Sequence, residues 1–201
     1  TVGLEIMEQV KDAEVVLVPI GGGGLIGGVA FAVKQINPNC KVYGVQAAGA
    51  PSMQNALKVG KTEALASVST MADGIAVKQP GDLTFAMCQK YVDGVVTVTE
   101  DEIASAILKL IEKHKMVAEG AGAVSVAAAM YNKVDIKGKK AVCVISGGNV
   151  DVNVLDRIID KALQANGRIT KLSVMVMDKP GQLTQLLTAI AETGANIFSV
   201  N

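Results

Sequence analysis

The sequence predicts an α/β fold, a parallel sheet covered by helices, followed by the opening of a smaller α+β unit. Three observations predict it: continuous apolar runs of strand length, helical segments alternating with those runs, and a change of register near residue 166. Val15-Val16-Leu17-Val18-Pro19-Ile20 has no polar face. Such a run suits a strand buried on both sides, as in parallel sheets sandwiched by helices.

The elements follow in order. Leu4, Ile6, Met7 and Val10 recur at helical spacing among Glu5, Glu8 and Lys11, so the chain opens inside a helix and without a Met. That opening is expected of a C-terminal piece of a longer protein. After the first strand a helix runs from about Leu25 to Ile36, stopped by Asn37-Pro38-Asn39. Lys41 to Gln46 reads as a strand, Pro51 to Val59 as a short helix ending at Gly60, Leu83 to Tyr91 as a helix, and Gly94 to Val98 as a strand. Thr99 stands three residues before Glu102, a capping box for a helix through about Lys113. An alanine-rich helix follows from Gly120 to Tyr131, then a strand from Lys140 to Ile145 and a helix from Asn153 to Ala165.

Ala165-Asn166-Gly167 is a helix stop and turn. Beyond it Lys171 to Met177 alternates as a strand, Asp178-Lys179-Pro180-Gly181 turns into a helix through about Thr193, and Ile197 to Asn201 starts another strand. One β-α-β stretch is too small to bury its own face. Residues 166–201 are therefore expected to be the truncated start of a second domain, after a first one spanning 1–165.

Composition narrows the function classes. Half of the 201 residues are hydrophobic, but aromatics make up only 3% and Trp is absent, so Val, Ile, Leu, Ala and Met must build the core. Nineteen basic and nineteen acidic residues cancel. Without a net charge or a long run of one sign, neither nucleic acid nor an anionic membrane surface has an electrostatic footprint. Cys40, Cys88 and Cys143 lie far apart in or beside apolar segments, which argues for buried free thiols and against a disulfide frame or zinc site. With no signal-peptide pattern and no apolar run of membrane-spanning length, a soluble cytoplasmic protein is expected.

Gly21-Gly22-Gly23-Gly24-Leu25-Ile26-Gly27-Gly28 lies between a strand and a helix. Glycines let backbone come close to a ligand, several N–H groups converge, and the helix N-terminus adds favourable partial charge: an anion site, suited to a cofactor phosphate. The bland reading is a tight strand–helix turn. Gly22, Gly24 and Gly27 also satisfy the dinucleotide pattern GxGxxG, but that pattern wants an acidic residue at the end of the next strand, where Gln46 stands. No Lys-Ser/Thr follows the glycines, so the loop is not a P-loop. A second constellation, Ser146-Gly147-Gly148-Asn149, ends the strand Lys140 to Ile145, so both loops sit at strand carboxyl ends, where open α/β sheets bind ligands.

In order along the chain stand the tetraglycine loop with Leu25, Met71-Ala72-Asp73-Gly74, Thr97-Val98-Thr99-Glu100-Asp101-Glu102, Glu119-Gly120-Ala121-Gly122 and Ser146-Gly147-Gly148-Asn149. Together they resemble the serine/threonine dehydratases, fold-type II pyridoxal-phosphate (PLP) enzymes related to serine racemase and tryptophan synthase β, over residues 1 to about 165. The tail, with Asp178-Lys179-Pro180-Gly181-Gln182-Leu183, resembles the opening of an ACT domain, a small amino-acid-sensing module. The resemblance implies a three-layer parallel-sheet domain, PLP as cofactor, an amino acid as substrate, an amino-acid effector at the ACT unit, and a homo-oligomer, since ACT modules commonly pair across subunits. It implies that Gly21, Gly22, Gly23, Gly24 and Leu25 hold the phosphate through their amides, that Ser146 meets the pyridine nitrogen, that Gly74 lies near the ring and that Glu119 lines the same pocket. Glu119 reads equally as a carboxylate favoured by the helix dipole just before Gly120.

The family's upstream lysine, which binds PLP as a Schiff base, and its upstream Ser-x-Gly-Asn loop have no match in these residues. No catalytic residue is therefore expected here, and the chain alone should be inactive. Some relatives bind a divalent cation through acidic residues at the position of Gln46 and near Ser52; neither is acidic, so no metal is expected there. Asp73 reads as a turn residue, Lys78 as surface loop, His114 as a helix-end cation without catalytic work, and Met175 and Met177 as core filler. The implied activity is deamination of L-threonine, and of L-serine, to a 2-oxo acid and ammonia. A dinucleotide-dependent oxidoreductase, resting on the glycine pattern alone, and an amino-acid-sensing module, resting on the tail alone, are the alternatives.

Overall fold

The apolar run after Glu14 forms β1 (Val15–Pro19), every residue of which is buried. It has parallel neighbours on both sides, β2 (Lys41–Ala47) and β4 (Ala141–Cys143), with Leu17 level with Tyr43 and Cys143. β3 (Gly94–Val98) extends the sheet beyond β2, giving the order β3-β2-β1-β4. The computed structural model describes residues 1–200. The chain divides into two compact units, Thr1–Ile169 and the residues from Thr170 on.

Side chains alternate along a strand, so consecutive residues of β1 feed different cores. Val15 and Leu17 join Ile103 and Ile107 of α5 (Glu100–Lys109), Val124 and Ala128 of α6 (Gly120–Met130) and Ile158 of α7 (Val152–Ala165). Val16, Val18 and Ile20 join Met7 of α1 (Val2–Gln9), Ile26, Val29 and Val33 of α2 (Gly24–Ile36), Met53 of α3 (Ser52–Val59) and Cys88 of α4 (Asp82–Tyr91). The first unit is thus three layers, helices on both faces of a parallel sheet.

Local chemistry explains most boundaries. Thr99 and Glu102 form the reciprocal capping box: the Glu102 amide donates to Thr99 Oγ1 at 3.3 Å and the Thr99 amide to Glu102 Oε2 at 2.8 Å. The helix expected through Lys113 is α-helical only to Lys109. A π-helical turn, Leu110–His114, follows and releases the chain through Lys115 at φ 56°. β4 is shorter than the expected Lys140 to Ile145. The Val144 amide still donates to the Leu17 carbonyl, but the next ladder bond would need an N–H from Pro19, which has none. Ser125 Oγ takes over, donating to the Val144 carbonyl at 2.7 Å.

In the second unit, the turn at Gly181 (φ 86°) leads into α8 (Gln182–Glu192). The strands expected at Lys171 to Met177 and from Ile197 are absent from residues 171–177 and 197–200; Asn201 lies outside the described residues. A strand exists by pairing its N–H and C=O groups with a neighbour, and these segments have none. The expectation that Met175 and Met177 fill a core is likewise corrected: both are exposed, as is Phe198, and α8 buries no residue. Among the described residues no helix is long and apolar enough to cross a membrane.

Candidate functional site

β2 and β3 lie to one side of β1 and β4 to the other, so successive connections part company at the carboxyl ends of β1 and β4. Such a switch point leaves a crevice. Here it is a cavity of about 310 Å³, within the range of small-molecule sites. Gly21, Gly22, Gly23, Gly24, Leu25, Gly74, Glu119 and Ser146, the eight residues singled out from sequence, all line it. Pro19, Ile75 and Ala121 line it too and were not singled out. Each is adjacent to or within a motif already marked; their apolar side chains carried no chemical signal of their own.

The glycine loop contributes backbone. Gly23 has φ 95°, a conformation costly for any residue with a Cβ, and it caps the N-terminus of α2. A Cβ on Gly23 would also lie 2.7 Å from Met53 Cε and 2.9 Å from Thr84 Cβ, whereas one on Gly22 or Gly24 would meet nothing within 4 Å. The Ile20 amide donates to Val45 and the Gly27 amide to Gly23, but the six amides from Gly21 to Ile26 donate to no protein acceptor among the described residues. Two of them, those of Gly21 and Gly22, exceed the four ordinary orphan donors of a helix start. Unpaired backbone donors in a cleft want an acceptor.

Glu119 is the N-cap residue of α6, yet its side chain does not cap that helix. Its Oε2 instead accepts from the Asn149 amide at 3.1 Å, while its own amide donates to the Gly147 carbonyl at 3.1 Å. The carboxylate packs so closely on Gly147 that a Cβ there would collide with it. Glu119 thus clasps the loop that presents Ser146, and its Oε1 lies 3.4 Å from where a Cβ on Gly74 would stand. Gly74 is delivered by a 3-10 turn, Asp73–Ile75, behind which the Met71 amide donates to Glu100 Oε2 at 2.7 Å. Asp73 Oδ1 accepts from the Gly74 amide, a turn residue's work. Neither Lys78 nor His114 lines the cavity.

Gln46 is fully buried: its Oε1 accepts from the Gln54 amide at 2.9 Å and its Nε2 donates to the Ile20 carbonyl at 3.4 Å. A side chain so engaged is not free to hold a ribose hydroxyl. Among the described residues no three His, Cys, Asp or Glu side chains gather as a metal site.

Residues 1–147 match the family described as pyridoxal-phosphate dependent enzyme. The chain belongs to that family. PLP is the cofactor of this family of enzymes, and the dinucleotide reading is set aside. An L-threonine ammonia-lyase of Thermotoga maritima is 58% identical over 200 residues, covering 100% of this chain and 50% of that protein. The catabolic L-threonine dehydratase of Escherichia coli is 44% identical over 160 residues, 79% of this chain and 49% of that one. Among solved structures, the processed form of threonine deaminase isoform 2 from Solanum lycopersicum superposes with a TM-score of 0.76 at 41% identity, over 81% of this chain and 45% of that chain. The chain spans about half the length of the curated relatives it matches.

The cavity fits a PLP enzyme's cofactor. Free amides and the α2 N-terminus are complementary to a phosphate, and the open space beside Gly22 and Gly24 leaves room for one. Among the described residues no lysine or arginine lines the cavity. The backbone alone supplies the positive potential.

Proposed function

We propose that this chain is the cofactor-cradling part of a PLP-dependent lyase that deaminates L-threonine, and L-serine, to 2-oxobutanoate, or pyruvate, and ammonia. The observation that carries this reading is the convergence of the eight residues on one cavity at the switch point. The names of the Thermotoga and Escherichia relatives supply the substrate. When bound, PLP supplies an electron sink for the bonds at the amino acid's α-carbon.

In this reading the amides of Gly21 to Gly24 and Leu25 bind the phosphate. The Ser146 hydroxyl would donate to the ring nitrogen; unlike a carboxylate it would not stabilise a protonated nitrogen, which would suit elimination of a β-hydroxyl better than transamination. Gly74 leaves room at the ring, and Glu119 holds the Ser146 loop in place. Among the described residues no lysine lines the cavity, so none of them is assigned the part of covalent anchor or α-proton base, and no turnover is expected of this chain alone. The residues from about 166 are read as the start of an ACT-like unit binding an amino-acid effector in a cytoplasmic homo-oligomer; isoleucine or valine binding to a chain carried through that unit tests this.

The main test is a PLP titration of the purified chain. Binding without turnover of L-threonine is expected, and Gly24→Asp, which sets a carboxylate among the phosphate donors, should weaken it at least tenfold, an order of magnitude set by about 1.4 kcal/mol. NADH binding with no response to PLP, or turnover by this chain, would overturn the reading.

A further inference from the structure

Thr84 lies far from the glycine loop in sequence and outside the cavity lining, yet it touches the loop. Its Oγ1 donates to the Gly22 carbonyl at 2.5 Å, with the Gly81 carbonyl a second acceptor at 3.0 Å. A hydroxyl has one hydrogen, and the shorter contact is the one to the loop. Thr84 is the third residue of α4, and its Cβ stands 2.9 Å from where a Cβ on Gly23 would be.

The consequence follows from the planarity of one peptide. Among the described residues no peptide bond is cis, so the Gly22 carbonyl and the Gly23 N–H belong to one trans unit and point in opposite directions. Tying the carbonyl to Thr84, which does not line the cavity, turns the Gly23 N–H the other way. Glycine resists such flips least of all residues, so between Gly22 and Gly23 an outside restraint is needed.

We infer that Thr84 is a positioning residue for the phosphate cradle: its hydroxyl locks the Gly22–Gly23 peptide with the Gly23 amide aimed at the cofactor phosphate. Preorganised donors bind an anion without first reorganising, so the restraint acts on affinity for the phosphate and not for the pyridine ring. This rests on the phosphate reading of the cavity proposed above.

The experiment titrates the 201-residue chain and its variants with PLP, pyridoxal and inorganic phosphate, while amide NMR reports folding and the Gly23 resonance. Thr84→Val keeps the shape and removes the donor. It should weaken PLP and phosphate about fivefold to tenfold, the worth of one hydrogen bond, leave pyridoxal unchanged, and shift the Gly23 amide. Thr84→Ser should bind as the unaltered chain does. Thr84→Ala removes the donor with a smaller side chain and should repeat the Thr84→Val result should valine unfold the loop. Three results would overturn the inference: full PLP affinity in Thr84→Val, equal loss of PLP and pyridoxal, or a Thr84→Ser as weak as Thr84→Val. Failure of the unaltered chain to bind either phosphate compound would instead sink the phosphate reading, and the role of Thr84 with it.

Discussion

Val15 to Ile20 and Lys171 to Met177 both read as strands, and only the first holds one, β1. β1 lies between two parallel partners and is buried along its whole length. The later segment alternates polar and apolar residues from Lys171 to Val174 and ends in the apolar run Val174 to Met177, but in the described structure it pairs with nothing, and Leu172 and Met175 face outward. The pattern of side chains says which face a strand would bury. Only a neighbour makes it a strand.

Matched substitutions in the two units break or sharpen that contrast. Leu17→Ala should cost the first unit about 2–5 kcal/mol in urea unfolding, as for any fully buried leucine, and Leu172→Ala should cost next to nothing. A comparable loss from Leu172→Ala would mean that the tail packs as tightly as the sheet. Next in size is a glycine pair. Gly23 and Gly181 both have positive φ, but only Gly23 is crowded by Met53 and Thr84. Gly23→Ala should cost about 3 kcal/mol or more, strain plus overpacking, against about 1 kcal/mol for Gly181→Ala.

The smallest effect uses cysteine, since all three thiols lie in the first unit. Burial raises the Cys88 and Cys143 pKa from 9.0 to about 11. Both should resist a thiol reagent at pH 8 as long as the sheet is intact. Their folded pKa lies above the unfolded one, so their contribution to stability is full below pH 9.0 and lost as the pH rises toward about 11. Melting temperature followed across that window checks the sign; a rise would contradict it.

Much of the first unit was legible because its signals are local. The apolar run of β1, the Thr99–Glu102 capping box and the strand-end loops each announce themselves within a few residues. The candidate site was legible for the same reason: glycine motifs mark where backbone must come close. What stayed hidden depends on distant partners. Asp93 receives Lys34 and Lys41 and accepts from the Val42 amide; burial alone would raise its pKa, but these partners outweigh it and hold it below 3.8. The early end of β4 depends on Pro19, more than a hundred residues earlier. No short-range pattern could pair Thr84 with Gly22, or show that Glu119 would turn from its own helix to the Asn149 amide.

A cradle made of free amides has a genetic consequence. Mutational scanning normally finds a site by truncating side chains to alanine, but at Gly21 to Gly24 alanine is an addition. At Gly23 the added methyl collides with the fold itself, so damage there reports folding. At Gly22 and Gly24 the fold has room for it, and on the phosphate reading proposed above any loss there is competition with the ligand. The site is written as a pattern of tolerated and forbidden methyl groups, and a survey of lost polar side chains would pass over it.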